Sequence, residues 1–264
     1  MKLPAILLAA SIAGFGIGHA QGDSLSISQR FHHETSYGDE GSKAETPHWG
    51  KEVPLYKSYE GAKKIKLEPL AGTGVTLEKA LDERKSTRSF AEKHVSLDLV
   101  ARVLLAADGI THSSRGYQMR TAPSGGALYP IDIYIAAADV ESLEDGLYHF
   151  HVADSSLDLV KEGDFSSQLH KASNGQAAVG FSPLTVILAA RWDRSTVKYS
   201  DRGYRYCYIE AGCISQNISL QCAALGLGTV VVGAFNDDRL NEFLGVDPKQ
   251  EAAILMMPIG WPSQ

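Results

Sequence analysis

Three cysteines in 264 residues are too few for a disulfide scaffold, and an odd number cannot all pair within one chain. Cys213 and Cys222 stand nine positions apart in an expected helix, about 13 Å of rise and beyond the reach of a bridge. With Cys207 they read as small core side chains, although export would leave a pairing of Cys207 open. Positive charge is not in excess either. The net charge of −6 argues against nonspecific nucleic-acid binding, whose phosphate contacts demand a basic surface. No internal repeat is visible. No apolar run reaches the roughly 20 residues of a membrane-spanning helix. The run Leu3–Ile17 follows Lys2 and precedes Gly18-His19-Ala20, the pattern of a secretory signal, with a retained anchor as the alternative. Neither a twin arginine nor a cysteine after the small residues points to Tat export or a lipoprotein. The expectation is an exported chain, periplasmic or secreted, with no stable membrane insertion once residues 1–20 are removed.

Residues 21–74 are polar, interrupted by glycine and proline, and lack sustained periodicity. They read as a mobile leader to about Trp49, followed by an extended strap from Pro54 to Gly74. The folded domain is expected over 75–264. Thr76 is a candidate N-cap for a helix from Leu77 to about Glu83. Ser96 caps another, with Val100, Val103, Leu104 and Ala107 on one stripe, ending at Gly109. Residues 111–129 read as a loop and Ile131–Ala138 as a buried strand. Leu147–Val152 and Leu157–Val160 form a hairpin, followed by a helix over 164–173 and a strand over Pro183–Ala190. The longest helix should run from about Asp201 to Leu225, burying Ile209, Cys213, Ile214, Ile218 and Cys222. Thr229–Val232 and Ala253–Met257 are further strands around a helix near 238–244. Without strict βαβ alternation the fold class is α+β.

Four stretches carry chemistry. In Arg84-Lys85-Ser86-Thr87-Arg88, two arginines bracket a hydroxyl and could converge on a phosphate; a solvated basic patch is the alternative. Pro123-Ser124-Gly125-Gly126 lets backbone approach a flat or anionic ligand, or is an ordinary tight turn. Gly226-Leu227-Gly228-Thr229 follows a helix and precedes a strand, the reverse of a dinucleotide fingerprint. Gly233-Ala234 lies just beyond, where bare amides could face a ligand. Lys198-Tyr199 ahead of the long helix could transfer a proton, or be a polar surface turn. His149 and His151 alternate on one strand face but lack a third ligand, so a solvent-facing strand is expected and no metal. Trp49, Trp192 and Trp261 read as packing residues.

In order and separation, these stretches resemble the nitroreductase superfamily. Tyr129-Pro130 and the block Lys198-Tyr199…Arg202-Gly203-Tyr204-Arg205-Tyr206 resemble its SagB/ThcOx-type thiazole/oxazole dehydrogenases. The resemblance spans roughly Val75 to Pro262. It implies a nitroreductase-like FMN-binding fold, a mixed, mostly antiparallel sheet flanked by helices, assembled as a homodimer with FMN at the subunit interface. By similarity Arg84, Ser86 and Arg88 would hold the phosphate and ribityl tail, and Pro123, Ser124 and Gly125 would border the flavin from the partner chain. Gly233 and Ala234 would offer amides near the hydride-accepting nitrogen, and Lys198 and Tyr199 would be the catalytic pair. The implied activity is hydride transfer between flavin and a small organic or peptide-derived substrate. A flavin-binding protein without turnover is the second reading. The family's C-terminal basic phosphate contact has no counterpart in Gly260–Gln264, leaving Arg115 or Arg120 as candidates.

Overall fold

The computed structural model describes residues 25–39, 41–42, 53–68, 72–114 and 116–263. The expected signal segment, Trp49 and Arg115 lie outside the described residues. Within the expected leader, and in the first of two compact units, a helix forms at α1 (Ile27–Glu34). Ser26 Oγ accepts from the Gln29 amide, and Gln29 Oε1 accepts in return from the Ser26 amide at 2.8 Å. This reciprocal cap is legible as Ser-x-x-Gln, but no apolar stripe follows it to draw attention. The short strands β1 (Tyr37–Gly38) and β2 (Gly41–Ser42) pair antiparallel after it.

The second unit contains the strap expected over Pro54–Gly74, and within it a strand forms, β3 (Lys64–Lys66). Lys57 Nζ donates to Tyr134 Oη and to Glu251 Oε2, both at 2.6 Å, fastening the strap to the sheet. The two predicted capped helices form: α2 (Leu77–Glu83) behind Thr76, then β4 (Val95–Ser96) and α3 (Leu97–Asp108) behind Ser96. The expected loop over 111–129 instead begins with a hairpin, β5 (Ile110–Ser114) and β6 (Tyr117–Arg120). Gly116 turns it at φ +82°, and its exposed polar strands give no alternation to read. Next come β7 (Ile131–Ala137), β8 (Val140–Glu141), and the hairpin β9 (Gly146–His151) with β10 (Ser156–Glu162). Then follow α4 (Ser166–Ala172), α5 (Ala177–Gly180), β11 (Leu184–Arg191), α6 (Trp192–Tyr199) and the 23-residue α7 (Arg202–Ala224). The chain finishes with β12 (Gly228–Thr229), α8 (Asp237–Leu244) and β13 (Glu251–Gly260).

Seven strands make one sheet in the order β12-β13-β11-β7-β9-β10-β3, each neighbour antiparallel. Among the described residues, parallel pairing is confined to β4 with β8 and to an isolated Ser86–Thr229 bridge. The fold is α+β, as the mixed pattern predicts. One face buries Ile133, Val186 and Leu188 beneath α3 and α7, and the other buries Tyr134, Ile187 and Met256 with Leu169, Val179 and Phe243. The central strands read as unbroken apolar runs because helices cover both faces.

The α7 stripe differs from expectation: Ile209 is 63% exposed, while Cys207, Glu210, Ala211, Ile214, Ile218 and Cys222 are buried. Five residues separate Ile209 from Ile214, a rotation of about 140°, so one narrow stripe cannot hold both. β12 is shorter than expected, with Val232 returning only as a bridge to Met256, and β13 is longer. All three cysteines are free, and Cys213 is half-buried rather than core. His149 is buried, not solvent-facing, its Nε2 3.3 Å from Asp132 Oδ1 and its ring against Tyr134. Trp192 packs in a stack on Tyr204, centroids 4.5 Å apart. Lys93 Nζ caps the Trp261 ring at 3.9 Å.

Candidate functional site

The chain leaves α2 at Arg84 in extended conformation, φ −60° and ψ 119°. Thr87 then donates its amide to the Thr229 carbonyl at 2.9 Å, and Ser86 bridges Thr229, laying 84–88 along the β12 edge. Gly228 is required at this approach, since a Cβ there would meet the Thr87 side chain at 2.6 Å. Successive side chains of an extended segment alternate in direction. Lys85 and Thr87 line a cleft of about 450 Å³ whose wall also includes Asp82 and Glu83. Two carboxylates make that cleft a poor host for a dianion. Arg84, Ser86 and Arg88 occupy the alternate positions, all exposed, and their side chains bond to nothing among the described residues. Along the same edge, Val232 is fixed to Met256 by two main-chain hydrogen bonds at 2.8 and 2.9 Å. Gly233 and Ala234 follow, exposed, with open space over the glycine and no acceptor for either N–H among the described residues. The Ala234 carbonyl takes the Gln176 amide at 2.8 Å.

The serine-glycine loop lies elsewhere. Ser124 Oγ accepts from the Tyr129 amide at 2.8 Å and pins a turn in which Gly126 sits at φ +68°. A Cβ on Gly126 would stand 2.7 Å from Tyr199 Oη and 2.8 Å from Lys198 Nζ. Both polar groups therefore rest on its bare backbone, presented by the last turn of α6. Lys198 and Tyr199 thus sit on a helix, not a surface turn. Arg194, one turn earlier, ties the loop down through Nε to the Leu128 carbonyl at 2.9 Å and Nη1 to the Val53 carbonyl at 2.7 Å. Burial lowers the Arg194 pKa to about 10, which leaves it charged at neutral pH. Tyr206 of α7 meets the Tyr199 ring edge-on at 4.7 Å and receives a hydrogen bond from Arg202 Nε at 2.9 Å. Pro123 and Gly125 are exposed beside them.

The structure gathers Arg84, Ser86 and Arg88 with the Gly233-Ala234 edge, and Pro123, Ser124 and Gly125 with Lys198 and Tyr199. It does not bring the two groups together within one chain. Thr229 pairs with Ile259 near one end of β13, whereas Arg191, leading into α6, pairs with Glu251 at the other. Eight strand residues span about 26 Å, which applies to 84–88; Val232, just before Gly233-Ala234, bridges Met256, five residues or about 17 Å from Glu251. Helix α7 gives a second measure, because Tyr206 packs at the Gly125 end and Ala223 lines the Lys85 cleft. Seventeen helical steps also come to about 26 Å.

Three buried charges are not identified by sequence motifs. Arg120 Nη1 contacts Asp108 Oδ2 at 2.5 Å, and the guanidinium covers the Tyr129 ring at 4.1 Å. Arg120 is thereby committed and is not a spare phosphate contact. Burial raises Asp108 to about 7 despite Arg120, and raises Glu210 to about 8. The Ser124 hydroxyl opposes the Glu210 shift, yet neither Glu210 oxygen has a partner in hydrogen-bond geometry among the described residues. A glutamate in phase with Cys207, Ala211 and Ile214 on an apolar stripe is the signal that flags it.

A family model described as the nitroreductase family matches residues 81–261. A Methanocaldococcus jannaschii protein named as a nitroreductase is 36% identical over 186 residues, 70% of this chain and 91% of that one. The microcin B17-processing protein McbC of Escherichia coli is 25% identical over 178 residues, and the match spans 65% of each chain. The crystal structure of a nitroreductase from Ralstonia eutropha superposes with a TM-score of 0.66 at 30% identity, covering 83% of this chain and 98% of that one.

Proposed function

The chain belongs to the nitroreductase family of oxidoreductases, and from that premise we propose an FMN-dependent enzyme that couples hydride transfer to proton transfer. Its substrate is a small organic or peptide-derived molecule, a choice supported by the similarity to a microcin-processing protein. The N-terminal pattern supports action outside the cytoplasm, in the periplasm or medium. The observation that carries the reading is the meeting of Lys198 Nζ and Tyr199 Oη over Gly126. An amine and a phenol there can address one substrate proton from adjacent positions.

The residues fit FMN. Arg84 and Arg88 offer guanidinium forks and Ser86 a neutral donor, on one side of an extended segment and unsatisfied among the described residues. The amides of Gly233 and Ala234, unpaired among the described residues, can donate to a ring edge, and the lack of described side chains over Gly233 leaves room for one. When bound, FMN supplies the ring that takes or gives the hydride. Lys198 and Tyr199 hold or move the accompanying proton, and the Ser124–Gly126 turn keeps them in place.

The separation of about 26 Å between the 84–88 segment and the Lys198-Tyr199 end favours a homodimer in which each chain contributes one group to each of two sites, as a two-fold axis allows. Exposed Tyr208 and Ile209 on α7, with Leu77 and Leu81 on α2, support an apolar contact face for a second copy.

The test is the visible spectrum of the purified mature protein, followed by photoreduction and reoxidation with quinones or nitroaromatics. A bound, reactive flavin is expected; a colourless protein that refuses FMN overturns the reading. A bound flavin inert to every acceptor would leave a carrier without turnover. Lys198→Ala is expected to retain FMN but slow proton-coupled substrate oxidation by roughly 10²–10⁴-fold. Single-turnover flavin reduction, monitored by absorbance, checks this.

A further inference from the structure

Gly233 and Ala234 leave the sheet between two anchors of different kinds. A peptide unit is planar, so a bond to its carbonyl also fixes the N–H that shares the plane. The Val232 carbonyl accepts from the Met256 amide at 2.9 Å, and this holds the Gly233 N–H. The Ala234 N–H belongs to the next unit, Gly233–Ala234, which makes no main-chain hydrogen bond among the described residues. Packing does not restrain that unit either, because nothing lies within 4 Å of a Cβ built on Gly233. The restraint comes from the following unit, where the Ala234 carbonyl accepts from Gln176 Nε2 at 2.8 Å. Gln176 is itself firmly seated. Its carbonyl takes the Val179 and Gly180 amides of α5 at 3.0 and 3.2 Å, and Nε2 also donates to the Ser173 carbonyl at 3.1 Å. Ser173 is fully buried, and the carbonyl of its neighbour Ala172 takes the Asn236 amide at 2.8 Å.

We propose that Gln176 is a positioning residue for the flavin ring, gripping the Ala234 carbonyl so that the Ala234 N–H keeps a fixed angle to that of Gly233. This rests on the reading of those two amides as ring-edge donors. Two donors on successive peptide units can serve one flat edge only while the angle between them is kept. Donors ordered before the ring arrives cost nothing to order on binding. Both hydrogens of the Gln176 amide are spent on main-chain carbonyls, so its nitrogen acts through Ala234 and not on the ring itself. The two residues stand 58 positions apart, which is why no local motif marks the glutamine.

The first test needs no flavin. In the flavin-free mature protein the backbone ¹⁵N order parameter of Ala234 should be near the rigid value of about 0.85, and in Gln176→Met it should fall toward about 0.6. Methionine keeps the length of the side chain and removes the donor. The Gly233 value, set through Val232, should not change. Gln176→Glu separates bonding from packing, since a carboxylate has no hydrogen to give and the protonated acid has one. Its Ala234 value should be low at pH 8 and recover below about pH 4.5, each compared with the unaltered protein at the same pH. Q176M should then bind FMN and riboflavin more weakly by the same factor, about three- to tenfold, because the loss is at the ring and not at the phosphate. An Ala234 order parameter equal in the unaltered protein and Q176M overturns the inference, as does a Q176E value that ignores pH. So does a loosened Ala234 with both flavin affinities unchanged, or a loss confined to FMN. An unaltered protein that binds neither flavin overturns the flavin reading beneath the inference, whatever the order parameters show.

Discussion

Replacing Arg84 and Arg88 together by alanine is expected to strip the protein of FMN. Each guanidinium removed forfeits a charged hydrogen bond worth about 1.5–3 kcal/mol. Two such losses raise the dissociation constant roughly 10²–10⁴-fold if they add, which fluorescence titration with FMN would resolve. Lys85→Ala is the matched control, because that side chain lines the opposite cleft with Asp82 and Glu83. Riboflavin separates recognition from damage, since it lacks the phosphate. Its affinity should hardly change in the double variant, and a parallel drop for both flavins would mean that the arginines shape the edge rather than grip the anion. FMN binding that stays intact would remove the phosphate site from 84–88.

Arg120→Met is expected to be the most destabilising single change in the buried cluster. It leaves the carboxylate of Asp108, 0% exposed, without its cation. Breaking a buried pair from one side costs about 3–5 kcal/mol, a large fraction of an ordinary domain's stability. The cost should depend on pH in a definite direction. The folded pKa of Asp108 is about 7, raised from 3.8, so the native chain binds this proton more tightly than the unfolded chain. Stability contributed by the group is present at low pH and falls as pH rises through that window. Removing Arg120 removes the influence that lowers the pKa, so the window extends upward. Urea midpoints of the variant and the parent should approach each other near pH 5 and diverge toward pH 8. Adding Asp108→Asn should recover most of the loss. A deficit of constant size across pH would point to lost packing on Tyr129 instead.

What the sequence reveals here follows the range of the forces involved. Thr76 and Ser96 cap their helices through hydroxyls that accept amides three residues on, so α2 and α3 are visible locally. Helix α6 is not. It springs straight from β11 behind Arg191, which gives no side-chain cap. It is tied instead by Arg194 to Leu128 and by Trp192 Nε1 to the Pro248 carbonyl at 3.2 Å. Those partners lie 66 and 56 positions away, and no window contains them. Glu210 is hidden for a different reason: a stripe phased on Ile209 turns the glutamate outward on paper. The motifs proposed to bind and react are legible as residue types. Their division between two ends of the chain is not, because spacing along a sequence says nothing about distance across a sheet.

The 23-residue α7 joins those two ends in one unbroken rod. A single inserted or deleted residue between Tyr206 and Ala223 would swing one end by about 100° and shift it by about 1.5 Å relative to the other. Length variation among descendants of this gene must therefore collect in places such as the β5–β6 tip or the stretch before β3. The helix core can drift only by exchanging one side chain for another, which makes its constant length a ruler for recognising chains that keep the same division of labour.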